Sequence, residues 1–250
     1  MNENRFDGKA EAYAASRPRY PGSLFEYLKE HKIITDGSTV ADIGSGTGIF
    51  SVQMASVVKK VFAVEPDDGM RAAACLNFKK HKNIVSVNAA AENTMLGSHS
   101  VDCVTAAQAF HWFDPNAFKT ECGRILKPAG HVVLVWNDRK KDSEIIKRNA
   151  EINVKYCVGY QGYSSGMNAV APEQLSNFFE GRYDIITFEN TILCDRNTFI
   201  GRSLSSSYAP KEGDAGFENY VIELTKLFDE LSHNGTVLYP YITYCYIGTP

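Results

Sequence analysis

Alternate glycines close the run Ala41-Asp42-Ile43-Gly44-Ser45-Gly46-Thr47-Gly48, behind an apolar segment and ahead of a helical pattern. Lacking a Cβ, such residues let a backbone turn sharply and come into contact with a ligand. The arrangement predicts a strand, a ligand-wrapping loop and a helix. Glu65 stands 21 residues after Gly44, at the end of the next apolar run. A carboxylate there can accept hydrogen bonds from both ribose hydroxyls of an adenosine-containing cofactor.

The spacing also discriminates between cofactors. A dinucleotide fingerprint reads Gly-x-Gly-x-x-Gly. Here Ile49 fills the last position and the third glycine comes one residue early. Asp42 beside the loop is unhelpful to a pyrophosphate but compatible with a cationic ligand. S-adenosylmethionine has no phosphate and carries a sulfonium and an ammonium, so the loop fits it better than a nicotinamide cofactor. A second group of candidates, Gln108-Ala109-Phe110-His111-Trp112-Phe113, follows the fourth apolar run. His111, with an ordinary pKa near ~6.5, is a candidate general base or hydrogen-bond partner; the alternative is an imidazole packed beside Trp112. Trp112 and Phe113 suit a pocket wall.

The elements that must hold these residues alternate strand and helix, the pattern of parallel βαβ units and an α/β, doubly wound sheet. Strands are expected at Thr39–Ile43, Val61–Val64, Ile84–Val87, Val101–Ala106 and His131–Trp136. Helices are expected at Phe6–Arg17, at Ser23–Lys32 with Ser23 and Glu26 as a capping box, and at Ile49–Val58. Asp67 caps a helix through Met70 and Ala74, and Asp114-Pro115 starts one that buries Phe118, Cys122 and Ile125. Residues 137–210 read as a small cap or insertion over the strand ends, followed by a helix at Tyr220–Leu231 and a β-rich run at Leu238–Ile247. The expected organisation is one domain: N-terminal helices (1–34), a cofactor-binding core (35–136), the cap (137–210) and the final helix and strands (211–250).

Composition narrows the partners. Among 250 residues, 44% are hydrophobic and the formal net charge is -3, which suits a real core and lacks the basic footprint of a nucleic-acid binder. No apolar stretch approaches the ~20 residues of a membrane span. The six cysteines show no Cys-x-x-Cys or Cys/His spacing for a metal, so reduced, buried thiols in a cytoplasmic protein are expected.

Taken together, Asp42-Ile43-Gly44-Ser45-Gly46-Thr47-Gly48, Glu65-Pro66 and Leu126-Lys127-Pro128-x-Gly130 resemble the class I S-adenosylmethionine-dependent methyltransferases. Four further runs are similar to the small-molecule group that includes trans-aconitate methyltransferases. They are Phe6-x3-Ala10-x2-Tyr13-x3-Arg17-Pro18-x-Tyr20-Pro21, Gln108–Phe113, Trp136-Asn137-x-Arg139 and Tyr241-x-Thr243-x3-Ile247-Gly248. The stretch Asn88-Ala89-Ala90-Ala91-Glu92 departs from that group, whose members usually place Gly or Asp before Ala-Glu.

The resemblance implies a Rossmann-like fold and a role for each residue. Gly44, Ser45, Gly46 and Gly48 would wrap the methionine and ribose portions of S-adenosylmethionine, and Glu65 would hold the ribose. Pro66 and Met70 would pack on the adenine, with Ala91 and Glu92 at its edge. Gln108 and Phe110 would lie where donor and acceptor meet. The N-terminal helix would close as a lid, bringing Tyr13 to the cofactor and Arg17 and Tyr20 to the acceptor beside His111. Arg17 would clamp a carboxylate with its planar fork, or else pair with a surface acid. The implied activity is methyl transfer to a small molecule, with a carboxylate oxygen favoured because it needs no deprotonation. Methylation of nitrogen or carbon, or a non-catalytic cofactor-binding protein, are the alternatives.

Overall fold

A computed structural model describes residues 18–163 and 166–250. The expected helix Phe6–Arg17, with Tyr13 and Arg17, lies outside the described residues. Seven strands form one sheet: β1 (Thr39–Ile43), β2 (Lys60–Val64), β3 (Ile84–Val87), β4 (Val101–Ala107), β5 (Leu126–Arg139), β6 (Tyr183–Cys194) and β7 (Val237–Gly248). Their order is β3-β2-β1-β4-β5-β7-β6. The first five run parallel, while β7 inserts antiparallel between β5 and β6. Strand order reverses at β1, which lies between β2 and β4. The helices that follow β1 and β4 therefore lie on opposite faces of the sheet, the arrangement that sets a ligand crevice at the carboxyl ends of the strands.

Both faces of the sheet are covered, so its central strands are buried along most of their length rather than alternately exposed. In β5, Val132, Leu134 and Trp136 join Ile43, Val64, Phe118 and Phe178 on one face. Val133 and Val135 point the other way, to Leu24, Leu28, Phe50 and Met54. The helices responsible are α1 (Gly22–Glu30) and α2 (Ile49–Ala55) on the second face, and α4 (Pro115–Ile125) and α6 (Pro172–Phe178) on the first. α3 (Asp68–Phe78) adds Ala74 and Phe78 against β2. A separate cluster joins α5 (Glu144–Tyr156), α7 (Arg196–Leu204) and α8 (Phe217–Leu231) to Val237, Tyr239 and Tyr241 of β7. No helix among the described residues is long and apolar enough to cross a membrane.

Several boundaries differ from expectation for identifiable reasons. α1 starts at Gly22 behind the extended Pro21, and Ser23 with Glu26 forms no capping box. Proline's fixed φ sets the entry without a side-chain cap. α2 stops at Ala55 rather than Val58, where the Asn83 amide donates to the carbonyls of Ala55 and Val58. β5 begins at Leu126, because the Lys127–Gly130 turn is a register shift within the pairing to β4 rather than a break. Inside the stretch expected to form a cap, β5 continues to Arg139 and β6 pairs with β7 along its whole length. Cys75 is exposed; the other five cysteines are buried and all six are free.

Candidate functional site

The loop after β1 is tied to its neighbour strand by the N–H groups of Gly44 and Ser45, which both donate to the Val64 carbonyl at 2.9 and 3.0 Å. The next residue along β2 is Glu65, whose carboxylate folds back over the loop. Its Oε2 accepts from the Gly46 N–H at 2.8 Å and its Oε1 from the Asp67 N–H at 3.0 Å. Burial raises the Glu65 pKa, and these two backbone donors oppose the rise. The same turn is locked by Asp67, whose side chain caps α3 through the Met70 N–H.

All three glycines take left-handed backbone angles, but they face different surroundings. A Cβ on Gly44 would lie 2.6 Å from the Ala109 Cβ and 3.0 Å from the Phe113 ring. That position brings the loops after β1 and β4 together. A Cβ on Gly48 would lie 2.4 Å from the Phe78 ring, so this glycine packs α2 against α3. Around Gly46 nothing stands within 4 Å of such a Cβ. Its surface is open directly beside Glu65, a cradle with room for a ribose-bearing ligand. A carboxylate adjoining that open backbone suits the diol of S-adenosylmethionine.

Asp42, on β1, is buried beneath the loop. It accepts from Ser51 Oγ at 2.5 Å and Thr105 Oγ1 at 2.9 Å. Burial pushes its pKa up from 3.8 to about 6, the two hydroxyls acting in the opposite sense. Pro66 is exposed at the rim and Met70 is buried under it. Ala91 is buried and Glu92 half-buried, with Glu92 Oε1 accepting from the Asp114 N–H at 3.0 Å. Their loop is pinned to α4 by Glu121, which accepts from the Thr94 N–H and hydroxyl and pairs with Arg124.

Gln108 follows β4 at φ +58, its N–H donating to the Val135 carbonyl and its Nε2 to the Asn137 carbonyl at 3.0 Å. Asn137 Oδ1 accepts from Thr243 Oγ1 at 2.5 Å and Asn190 Nδ2 at 3.0 Å. Asn190 Nδ2 also donates to the Arg19 carbonyl at 2.8 Å, so this neutral network holds the segment entering α1. Gln53 clamps the next residue, accepting from the Tyr20 N–H and donating to the Tyr20 carbonyl. The Tyr20 ring packs edge-on to Phe50 at 4.9 Å, in the core of the second face rather than in the crevice. Phe110 likewise goes to the core, enclosed by Phe113, Phe118, Trp136 and Phe178. The His111 imidazole tilts against Trp112 and lies so close over Gly166 that a Cβ there would meet it at 2.3 Å.

The structure thus gathers Gly44, Ser45, Gly46, Gly48, Glu65, Pro66 and Met70 around one loop and sets Gln108 across the crevice. Sequence reasoning missed Ser51, Thr105, Asn190 and Gln53, whose roles arise from strand register and helix facing. Asn137 and Thr243 carried a signal, as parts of Trp136-Asn137-x-Arg139 and Tyr241-x-Thr243-x3-Ile247-Gly248.

The sheet order, and the Glu65 carboxylate beside the open backbone at Gly46, suit an α/β enzyme with an adenosine-containing cofactor. Residues 41–134 match the family described as a methyltransferase domain. An uncharacterised methyltransferase of Mycobacterium tuberculosis is 28% identical over 98% of this chain and 95% of its own length. An uncharacterised methyltransferase-like protein of Schizosaccharomyces pombe is 34% identical over 58% of this chain, which spans about half (56%) of that relative. A solved structure from Anaeromyxobacter dehalogenans, assigned as a type II methyltransferase, superposes with a TM-score of 0.63 over 93% of this chain and 97% of its own, at 22% identity. Together these likenesses support a class I S-adenosylmethionine-dependent methyltransferase.

Proposed function

We propose that the acceptor is a small molecule bearing a carboxylate and that it is methylated on oxygen. The observation that carries this reading is the character of the polar groups at the carboxyl ends of β4 and β5. Gln108, Asn137, Asn190 and Thr243 are neutral and hydrogen-bonded to one another, and His111 is packed over Gly166. None is a positioned base, and a carboxylate, already ionised at neutral pH, requires none. S-adenosylmethionine supplies a methyl group already activated on a sulfonium. The protein's share is then placement: Glu65 and the open backbone at Gly46 hold one partner, and the amides of Gln108 after β4 and Asn137 near the end of β5 orient the other. Such orientation by itself is worth roughly 7–11 kcal/mol of a barrier. Five buried free thiols suit a reducing, cytoplasmic setting.

The test is transfer of labelled methyl from S-adenosylmethionine to a panel of small carboxylic acids, amines and phenols. A base-labile ester on an acid is expected. Label appearing only in base-stable N- or C-methyl products would overturn the choice of oxygen.

A further inference from the structure

We propose that Arg139 and Arg202 form an oxyanion-binding subsite that recognises a charged group on the acceptor. This proposal rests on the acceptor reading above and extends it to a second anchoring point.

Arg139 is the last residue of β5 and Arg202 lies on α7. The Arg139 Nε donates to Tyr239 Oη at 3.1 Å, and its guanidinium sits 4.3 Å from the Tyr163 ring centroid and 5.7 Å from that of Tyr241. The Arg202 Nη2 donates to Tyr241 Oη at 2.6 Å, with its guanidinium 5.6 Å from the ring centroids of both Tyr239 and Tyr241. Two cations therefore share one pair of tyrosines.

Among the described residues neither has a counter-charge. Arg71, Arg124, Arg148, Arg182 and Arg196 all pair with acids, whereas among the described residues no acid pairs with Arg139 or Arg202. The nearest carboxylate in sequence, Asp138, is taken by the Arg139 backbone N–H and by Lys141. Tyr239 and Tyr163 supply no negative charge either, since burial pushes Tyr239 up to about 12 and raises Tyr163 as well. Among the described residues the buried Arg202 Nε has no hydrogen-bond partner, and the Arg139 terminal nitrogens make no hydrogen bond.

Two half-buried like charges repel each other and lose part of their hydration, and a bound oxyanion offsets both costs. Guanidinium forks match carboxylate and phosphate oxygens in pairs, and the tyrosine faces hold the forks flat. The location fits an acceptor anchor. Arg139 follows Asn137 by two residues on the same face of β5, about 7 Å farther along the strand. An acceptor lying at Gln108 and Asn137 would present a remote anionic group to the two arginines.

The experiment follows the arginine Nε–H resonances of the full chain by NMR during titration with succinate and, separately, with inorganic phosphate. Saturable movement of the Arg202 Nε–H signal is expected with at least one anion. In the variants the Arg139 Nε–H signal reports binding, and anion affinity read there should weaken about 10–100-fold in Arg202→Gln and partly recover in Arg202→Lys. Affinity for S-adenosylhomocysteine, measured by calorimetry, should be unchanged in both variants, which controls for folding. A preference for succinate identifies a carboxylate group on the acceptor, and a preference for phosphate a phosphate. If neither anion moves the signal, or if Arg202→Gln binds as the wild type does, the subsite is refuted. Its failure is separable from that of the acceptor reading. Carboxyl methylation with an unaltered KM in Arg202→Gln would sink the subsite alone. A raised KM for an anionic amine methylated on nitrogen would keep the subsite and sink the oxygen assignment.

Discussion

Asp42 links the glycine loop to the stability of the whole sheet, and Asp42→Asn isolates that link. The side chain is 1% exposed, and its pKa is pushed from 3.8 to about 6 by burial. Each tenfold change in proton affinity is worth about 1.4 kcal/mol, so ionised Asp42 costs the folded protein about 3 kcal/mol at neutral pH. The sign is fixed by the direction of the shift. Folded Asp42 holds its proton more tightly than unfolded Asp42, so the favourable contribution is complete below 3.8 and lost as pH rises through about 6. An asparagine removes the ionisation, and the Ser51 and Thr105 hydroxyls can rotate to satisfy its amide. Urea unfolding without cofactor should show Asp42→Asn about 2–3 kcal/mol more stable at pH 7.5, or roughly 4–12 °C in melting temperature for a chain of this size. At pH 5 the gain should shrink by roughly half, because the wild-type carboxyl is then mostly protonated when folded. Equal stability at pH 7.5, or a gain that persists undiminished at pH 5, would refute the claim that an ionised buried carboxylate strains the loop.

The glycines should separate by role: Gly48→Ala meets Phe78 and should cost more than about 2 kcal/mol in unfolding experiments. Gly46→Ala, facing open space, should cost only the left-handed strain of about 1–2 kcal/mol while sharply weakening S-adenosylhomocysteine binding by calorimetry. Glu65→Ala removes the acceptor for two backbone N–H groups, so both unfolding free energy and cofactor affinity should fall, each by about 1–3 kcal/mol; a loss confined to stability would remove Glu65 from the binding site. Gln53→Ala frees both backbone groups of Tyr20 and should speed amide hydrogen exchange at Tyr20, with a stability loss of about 1–2 kcal/mol; unchanged exchange would show that the clamp is redundant.

Much of the core was legible because its signals are local. β1 and β3 fall where apolar runs between turn residues place them, and Asp67 and Asp114 cap α3 and α4 through bonds to N–H groups two or three residues on. The glycine loop and Glu65 were legible for the same reason, since a strand–loop–helix unit and the following strand span few residues. Helix ends were less so: α2 is halted by Asn83, which lies 28 residues past Ala55.

The sequence by itself determined the class of fold and the place of the glycine loop, because side-chain periodicity and glycine spacing act over one or two turns of chain. Tertiary structure decided the rest. It sent Tyr20 and Phe110 to the core and made β6 an edge strand of the sheet. It joined Asn137 to Thr243 across 106 residues, and Arg139 to Tyr239 across 100. Those pairings follow from the antiparallel register of β7 between β5 and β6. Register is selected by the burial of whole strand faces, so no short run of residues carries it.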